Sequence, residues 1–208
     1  MTTVYTNPGL PGWYLITGAF TVTEEEHFLE SIARNESENI CDQIHTAKEF
    51  GWKFIPIKKK TKADYLGEFP DWLKEIWHIA HKSIKTHVSS FPKFVMPDHV
   101  LLNEYEPGDG CKSHIDDLTF WNDWVVGVSF GSGCVMKLGC LDIYVPQRSI
   151  YILTGDARYK LTHGIDFVKT DEFYGDVIER TKRISLTFRT IHNNFLDDMT
   201  KLHVKSIL

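Results

Sequence analysis

The sequence predicts an α+β fold, a double-sheet jelly roll backed by helices on one side. Helical periodicity is confined to the part before residue 94. From Phe94 onward the texture changes to short strand-like runs. Glycine or proline punctuates the gaps between them, at Pro107-Gly108-Asp109-Gly110, Gly131-Ser132-Gly133, Pro146 and Gly155. Many short strands after two helices make a layered β architecture with helices on one face.

Taken in order, Trp13–Phe20 is apolar and aromatic and reads as an entry strand. Thr23 opens the first helix as N-cap, with Glu26 in the reciprocal capping-box position. Phe28, Leu29 and Ile32 then give a one-sided stripe running to about Arg34. Phe50–Ile57 is aromatic and β-branched enough for a strand. Gly67–Pro70 is a break, and Pro70 suits the first turn of the next helix. Leu73, Ile76, Trp77, Ala80, Ile84 and Val88 share one face of a helix over about 71–88. Val100–Tyr105, Trp124–Phe130, Val135–Leu138, Leu141–Val145, Ser149–Leu153 and Ile184–Ile191 are the strands expected downstream.

A length of 208 residues, 42% hydrophobic and 25% charged, describes one soluble domain with a sizeable core. It divides into an N-terminal extension (1–93), a jelly-roll core (94–192) and a C-terminal tail (193–208). No run approaches the roughly 18 apolar residues of a membrane helix, and the N-terminus lacks the pattern of a secretory signal. Cys41, Cys111, Cys134 and Cys140 form no Cys-x-x-Cys pair and read as free thiols of a reducing compartment, nucleus or cytoplasm, in a monomer. A net charge of −5 argues against a broad phosphate-binding surface. It leaves room for a local one at Lys58-Lys59-Lys60-Thr61-Lys62, which reads either as a solvated loop or as a contact to a substrate backbone.

Chemistry concentrates in Leu101–Asp117, LLNEYEPGDGCKSHIDD. His114 and Asp116 leave the same face of an extended chain, roughly 6–7 Å apart, so both can reach one metal ion. Taken alone, a His-x-Asp reads sooner as a surface turn. His163 offers a third ligand, and two His with one carboxylate leave positions open, as suits non-heme Fe(II) and oxygen activation. Arg183-Ile184-Ser185-Leu186-Thr187-Phe188-Arg189 alternates strictly and reads as a half-buried strand. With its polar face turned inward, the two arginines become buried cations that need anions, which a dicarboxylate co-substrate supplies bidentately.

The set Asn103-x-Tyr105-x-x-Gly108, His114-x-Asp116, Gly155-x-x-Arg158, His163-Gly164-Ile165 and Arg183-x-Ser185-x-Thr187-x-Arg189 resembles the AlkB family of Fe(II)- and 2-oxoglutarate-dependent dioxygenases. The resemblance is firm over about residues 95–192 and looser over Thr17–Trp72. It implies a double-stranded β-helix core, N-terminal supporting helices and a substrate-recognition lid formed by Phe50-Gly51-Trp52 through the lysine run. It also implies Fe(II) on His114, Asp116 and His163, with 2-oxoglutarate and O2 as co-substrates. Arg183 and Tyr105 would serve the distal carboxylate of 2-oxoglutarate, and Arg189 and Asn103 the end near the metal. The implied reaction is oxidative hydroxylation or demethylation of a modified base in DNA or RNA. A methyl-lysine protein substrate and a non-catalytic binding module are the alternatives.

Two positions depart from the family pattern. Ser185 stands where the family usually has Asn, which shortens or removes one polar contact to the co-substrate. Leu118 stands where DNA-repair members often carry an acid that helps read the base. Phe120, Trp121 and Trp124 read either as an aromatic wall over the substrate mouth or as packing on the barrel rim. His78, His81 and His87, on or near the second helix, read as surface residues, since the first two stand at i, i+3 but no acid or Cys joins them.

Overall fold

A computed structural model describes residues 1–34, 46–55, 62–89, 91, 96–192 and 195. Its elements in chain order are β1 (Thr3–Thr6), β2 (Trp13–Thr17), α1 (Val22–Arg34), β3 (Thr46–Ile55), β4 (Lys62–Tyr65), α2 (Asp71–His87), β5 (His99–Tyr105), β6 (Cys111–His114), β7 (Trp121–Gly131), β8 (Cys134–Leu138), β9 (Leu141–Val145), β10 (Ser149–Thr154), α3 (Gly155–Tyr159), β11 (His163–Ile165), β12 (Thr170–Phe173), β13 (Asp176–Glu179) and β14 (Arg183–Ile191). The large sheet has the order β1-β2-β10-β7-β14-β5-β3-β4, and the small one β6-β11-β8-β9. Strands β5 to β11 together with β14 pass back and forth between the two sheets in the jelly-roll manner expected, with the β8–β9 hairpin wholly in the small one. The N-terminal part extends that framework directly, since β2 pairs with β10 and β3 with β5.

The two faces of the large sheet each carry an apolar core, and a smaller cluster gathers Trp52, Phe120, Trp121 and Ile191. Ile184, Leu186 and Phe188 of β14 join Val126, Val128 and Phe130 of β7 on the outer face, under Phe28 and Ile32 of α1 and the apolar stripe of α2. The five stripe residues of α2 named above and Val88, its C-cap, are all buried. Trp77 stacks on Trp124 at 5.5 Å and meets Phe188 at 5.1 Å. Truncating a buried ring of this kind costs about 3–5 kcal/mol. Between the sheets, Leu15, Val125 and Leu153 face Met136, Leu138 and Ile143. The same interior, at its other end, holds the polar face of β14.

The structure revises several details. The capping box of α1 sits two residues earlier than expected. The Thr21 Oγ1 accepts from the Glu24 amide at 3.2 Å, and the Thr21 amide donates to Glu24 Oε2 at 2.7 Å. Pro70 is the N-cap of α2, one residue before the helix begins. His81 is buried and stacks on Trp77 at 5.7 Å, because one turn beyond Trp77 it falls on the inward face. Phe120, Trp121 and Trp124 are buried as well, so they are packing and not an open aromatic wall. The short, polar strands β1, β4, β6, β11, β12 and β13 lack the apolar runs that mark strands, and none was anticipated. Lys58–Thr61 and the tail beyond residue 192, Phe195 excepted, lie outside the described residues.

Candidate active site

The polar side chains expected to share a site do so because of strand register. Strand β14 is buried along its whole length, since α1 and α2 cover its apolar face and the small sheet faces the other. Across the ladder from β14 to β5, Arg183 lies opposite Tyr105, Ser185 opposite Asn103, and Arg189 opposite His99. Residues two apart on each strand share a face. The interior face of this pair therefore presents Arg183, Ser185, Thr187 and Arg189 beside Tyr105, Asn103, Leu101 and His99. In the small sheet, β6 and β11 place His163 directly opposite His114, with ring centroids 4.5 Å apart. Asp116 follows two residues after His114, beyond the end of β6.

One ligand atom from each of His114, Asp116 and His163 lies within 4.8 Å of the others. The separations are 3.9 Å from His114 Nε2 to Asp116 Oδ1 and 3.8 Å from His163 Nε2 to Asp116 Oδ2. Both are too long for hydrogen bonds, and Asp116 Oδ2 is buried with no hydrogen-bond partner among the described residues. Such an orphaned carboxylate oxygen between two imidazoles fits a metal ion better than a hydrogen-bonded cluster. Further support comes from outside the triad. The His114 Nδ1–H donates to the Lys112 carbonyl at 2.8 Å, which leaves Nε2 as its free ligand atom. Arg189 Nη2 donates to Asp116 Oδ1 at 2.5 Å.

The protonation states follow from the surroundings. Burial alone would raise the Asp116 carboxyl, but Arg189 above all, with His163 and His114, holds it below the ordinary carboxylate value. Burial pushes the His163 imidazole down to about 4, so it is neutral and ready to ligate. Contact with Cys111 Sγ, partly opposed by burial and reinforced by the Lys112 carbonyl, lifts His114 to about 9. Metal binding therefore has to displace a proton from His114.

These groups line a cavity of about 570 Å³ that runs to Tyr105 and Arg183 at its other end. Arg183 is only 5% exposed, its guanidinium lies 5.4 Å from the Tyr105 ring, and Nε donates to Ser129 Oγ at 3.0 Å. Its Nη1 has no partner among the described residues, and neither does Arg189 Nε. Buried guanidinium nitrogens left open at each end of one cavity are the complement of a dicarboxylate.

The site thus brings together the eight residues expected to hold metal and co-substrate: His114, Asp116 and His163, and Asn103, Tyr105, Arg183, Ser185 and Arg189. Leu118 is exposed and Asp117 caps its own loop, accepting from the Thr119 and Phe120 amides at 2.9 and 2.6 Å. Three contributors were not anticipated. Ser129 steadies Arg183, Tyr151 lines the cavity, and His99 lies buried near Arg189, its ring tilted against Trp121 at 4.4 Å. Ser129 had a visible signal as the one hydroxyl in the apolar run Val125–Phe130.

The chain is similar to known proteins in sequence and in fold. The family described as the 2OG-Fe(II) oxygenase superfamily matches residues 21–189. Protein L905 of Acanthamoeba polyphaga mimivirus is 32% identical over 199 residues, 88% of this chain and 86% of the viral protein. The tRNA (carboxymethyluridine(34)-5-O)-methyltransferase ALKBH8 of Macaca fascicularis is 29% identical over 217 residues. That match takes in 87% of this chain, which spans only 30% of the macaque protein. The solved structure of OsALKBH1 superposes with a TM-score of 0.62 at 14% identity, covering 91% of this chain and all of that one, a likeness of fold. The chain belongs to the 2OG-Fe(II) oxygenase superfamily and, within it, to the AlkB family of dioxygenases, which use Fe(II), 2-oxoglutarate and O2.

Proposed function

We propose that the chain oxidises an alkyl substituent, a methyl group foremost, on a modified base of a nucleic acid, with transfer RNA the first substrate to test. The similarity to ALKBH8 along nearly the whole chain carries the reading, because the name of that relative specifies a transfer-RNA nucleoside. The edge of the large sheet beside the site supports it. There the β3–β4 pair packs Trp52 at a tilt against Tyr65 at 4.7 Å and seats Phe54 edge-on against Phe120 at 4.7 Å, just after the Asp116 loop. Tyr65 stays partly exposed, and an aromatic ring offered to a base is worth about 1–3 kcal/mol.

In this reading His114, Asp116 and His163 hold the metal. Arg183 and Tyr105 take the distal carboxylate of 2-oxoglutarate, and Arg189 and Asn103 orient the end near the metal. Ser185, shorter than the usual Asn, leaves that pocket one contact looser. When bound, Fe(II) with 2-oxoglutarate and O2 supplies the oxidising equivalents that place one oxygen atom in a substrate C–H bond, while 2-oxoglutarate leaves as succinate and CO2. On an N-methyl group the product is a hemiaminal, which releases formaldehyde. The protein fixes the ligands, neutralises the co-substrate and surrounds the reacting carbon with a shaped, partly dry cavity.

The test is succinate formation from 2-oxoglutarate with Fe(II) and ascorbate, alone and with transfer RNA, methylated single-stranded DNA or histone. Stimulation by a nucleic acid, weakening as salt rises, is the expected result. Stimulation by histone alone would overturn the assignment in favour of a protein substrate, which the net charge of −5 and Leu118 would suit.

A further inference from the structure

Arg158 is only 2% exposed and belongs to α3, the short helix between β10 and the strand that carries His163. Its guanidinium makes no ion pair with a carboxylate among the described residues. Instead, Nη1 donates to the Asp116 carbonyl at 3.0 Å, Nη2 to the carbonyls of Asp117 at 2.9 Å and Trp121 at 3.3 Å, and Nε to that of Asn122 at 3.4 Å. All four carbonyls belong to one segment, Asp116–Asn122. Its residues 116–120, between the end of β6 at His114 and the start of β7 at Trp121, have no strand partner among the described residues, while Trp121 and Asn122 open β7. The neighbouring Tyr159 adds an outer tie, its hydroxyl donating to Asp123 Oδ1 at 2.7 Å.

A buried cation spent on neutral carbonyls is a poor device for stability alone, because an apolar side chain of similar volume would fill the space without desolvating a charge. A planar fork of five donors, however, fixes several carbonyls at set angles, which no apolar side chain or lysine can do. The Asp116 backbone is thereby held from one side by Arg158 while its carboxylate is held from the other by Arg189. We propose that Arg158 is a positioning residue for the metal centre: it ties the loop carrying Asp116 to the segment carrying His163, and so sets the carboxylate against the two imidazoles. The proposal rests on the assignment of His114, Asp116 and His163 as ligands, and its test separates the two.

The metal-free protein is titrated with Co(II), reading affinity and the visible ligand-field spectrum, in the wild type and in Arg158→Lys, Arg158→Met, Asp116→Ala and Ile84→Ala. Ile84, fully buried in α2, is a control for destabilisation remote from the site. The expectation is that Arg158→Lys and Arg158→Met weaken Co(II) binding about 10–100-fold, the usual effect of losing a group that orients a ligand, and alter the spectrum. Ile84→Ala should lower the melting temperature and leave both readouts unchanged. If Arg158→Met does not fold, Arg158→Lys, which keeps the charge and loses the fork, decides the matter. Wild-type affinity and spectrum in Arg158→Lys, or an equal loss in Ile84→Ala, would overturn the proposal. Wild-type binding by Asp116→Ala would instead remove the ligand assignment itself.

Discussion

Replacing Arg183 by Met separates the two things a buried cation can do. The side chain keeps its length and apolar stem but loses the guanidinium. In the protein without co-substrate, that removes the Nε bond to Ser129, worth about 1.5–3 kcal/mol for a charged donor. It also removes a buried donor, Nη1, left without a partner among the described residues, whose cost is about 1–3 kcal/mol. The two nearly offset, so the unliganded variant should lie within about 1 kcal/mol of the wild type in urea unfolding. With 2-oxoglutarate the outcome differs. Loss of a charge-assisted pair of about 1.5–3 kcal/mol raises the Michaelis constant about 10- to 150-fold. The bond is made equally in ground and transition states, so kcat changes little. At a concentration 100 times its dissociation constant, the co-substrate stabilises the wild type by about 2.7 kcal/mol. At that same concentration the variant would gain only about 0.3–1.4 kcal/mol. The assays are succinate formation against 2-oxoglutarate concentration and urea unfolding with and without it. An unchanged Michaelis constant together with a full ligand-induced gain would refute the assignment of Arg183 as the distal anchor.

Two further predictions follow from groups that line or adjoin the cavity. In Gly127→Ala the new Cβ overlaps the ring of Tyr151, which lies opposite Gly127 in the β10–β7 ladder. The ring must move into the cavity it lines, costing about 1–3 kcal/mol of stability and raising the Michaelis constant for 2-oxoglutarate. Wild-type values for both would show that Tyr151 does not shape the pocket. His99 yields a pH effect, because burial, reinforced by Arg189 and only partly opposed by Glu49 and Asp116, pushes its imidazole down to about 4. Being neutral when folded, it contributes stability that is complete above about pH 6.5 and is lost as pH falls toward 4, a span worth about 3 kcal/mol. The gap in unfolding free energy between pH 7.5 and pH 5 should therefore be about 2 kcal/mol smaller in His99→Leu than in the wild type. Equal gaps would mean that His99 does not titrate on unfolding.

The limits of reading this chain from its residues are physical, and particular residues show where they fall. The alternation from Arg183 to Arg189 announces a strand with one polar face, yet nothing local says whether that face meets water. The answer depends on α1 and α2, more than 90 residues away in sequence, covering the apolar side. The polar side is thereby turned toward the small sheet. The alternation leaves both readings open, and the resemblance to the AlkB family is what selects the inward one, where two buried arginines demand an anion. The His114–Asp116 pair was legible from spacing, whereas His163 reaches it through the pairing of β6 and β11. Those strands read CKSH and HGI and carry no strand signature. Thr21 and Thr23 are each followed three residues later by a glutamate, so sequence alone cannot choose between two capping boxes. What places α1 is Glu25, which accepts from the Gly131 amide at 2.9 Å and pairs with Arg148 at 2.5 Å. Arg158 is the sharpest case. As part of a motif it was visible from the start, but its work is done on backbone carbonyls, which every residue possesses and no side-chain pattern records. A residue that acts on backbone shows its purpose only once the loop it holds has a shape.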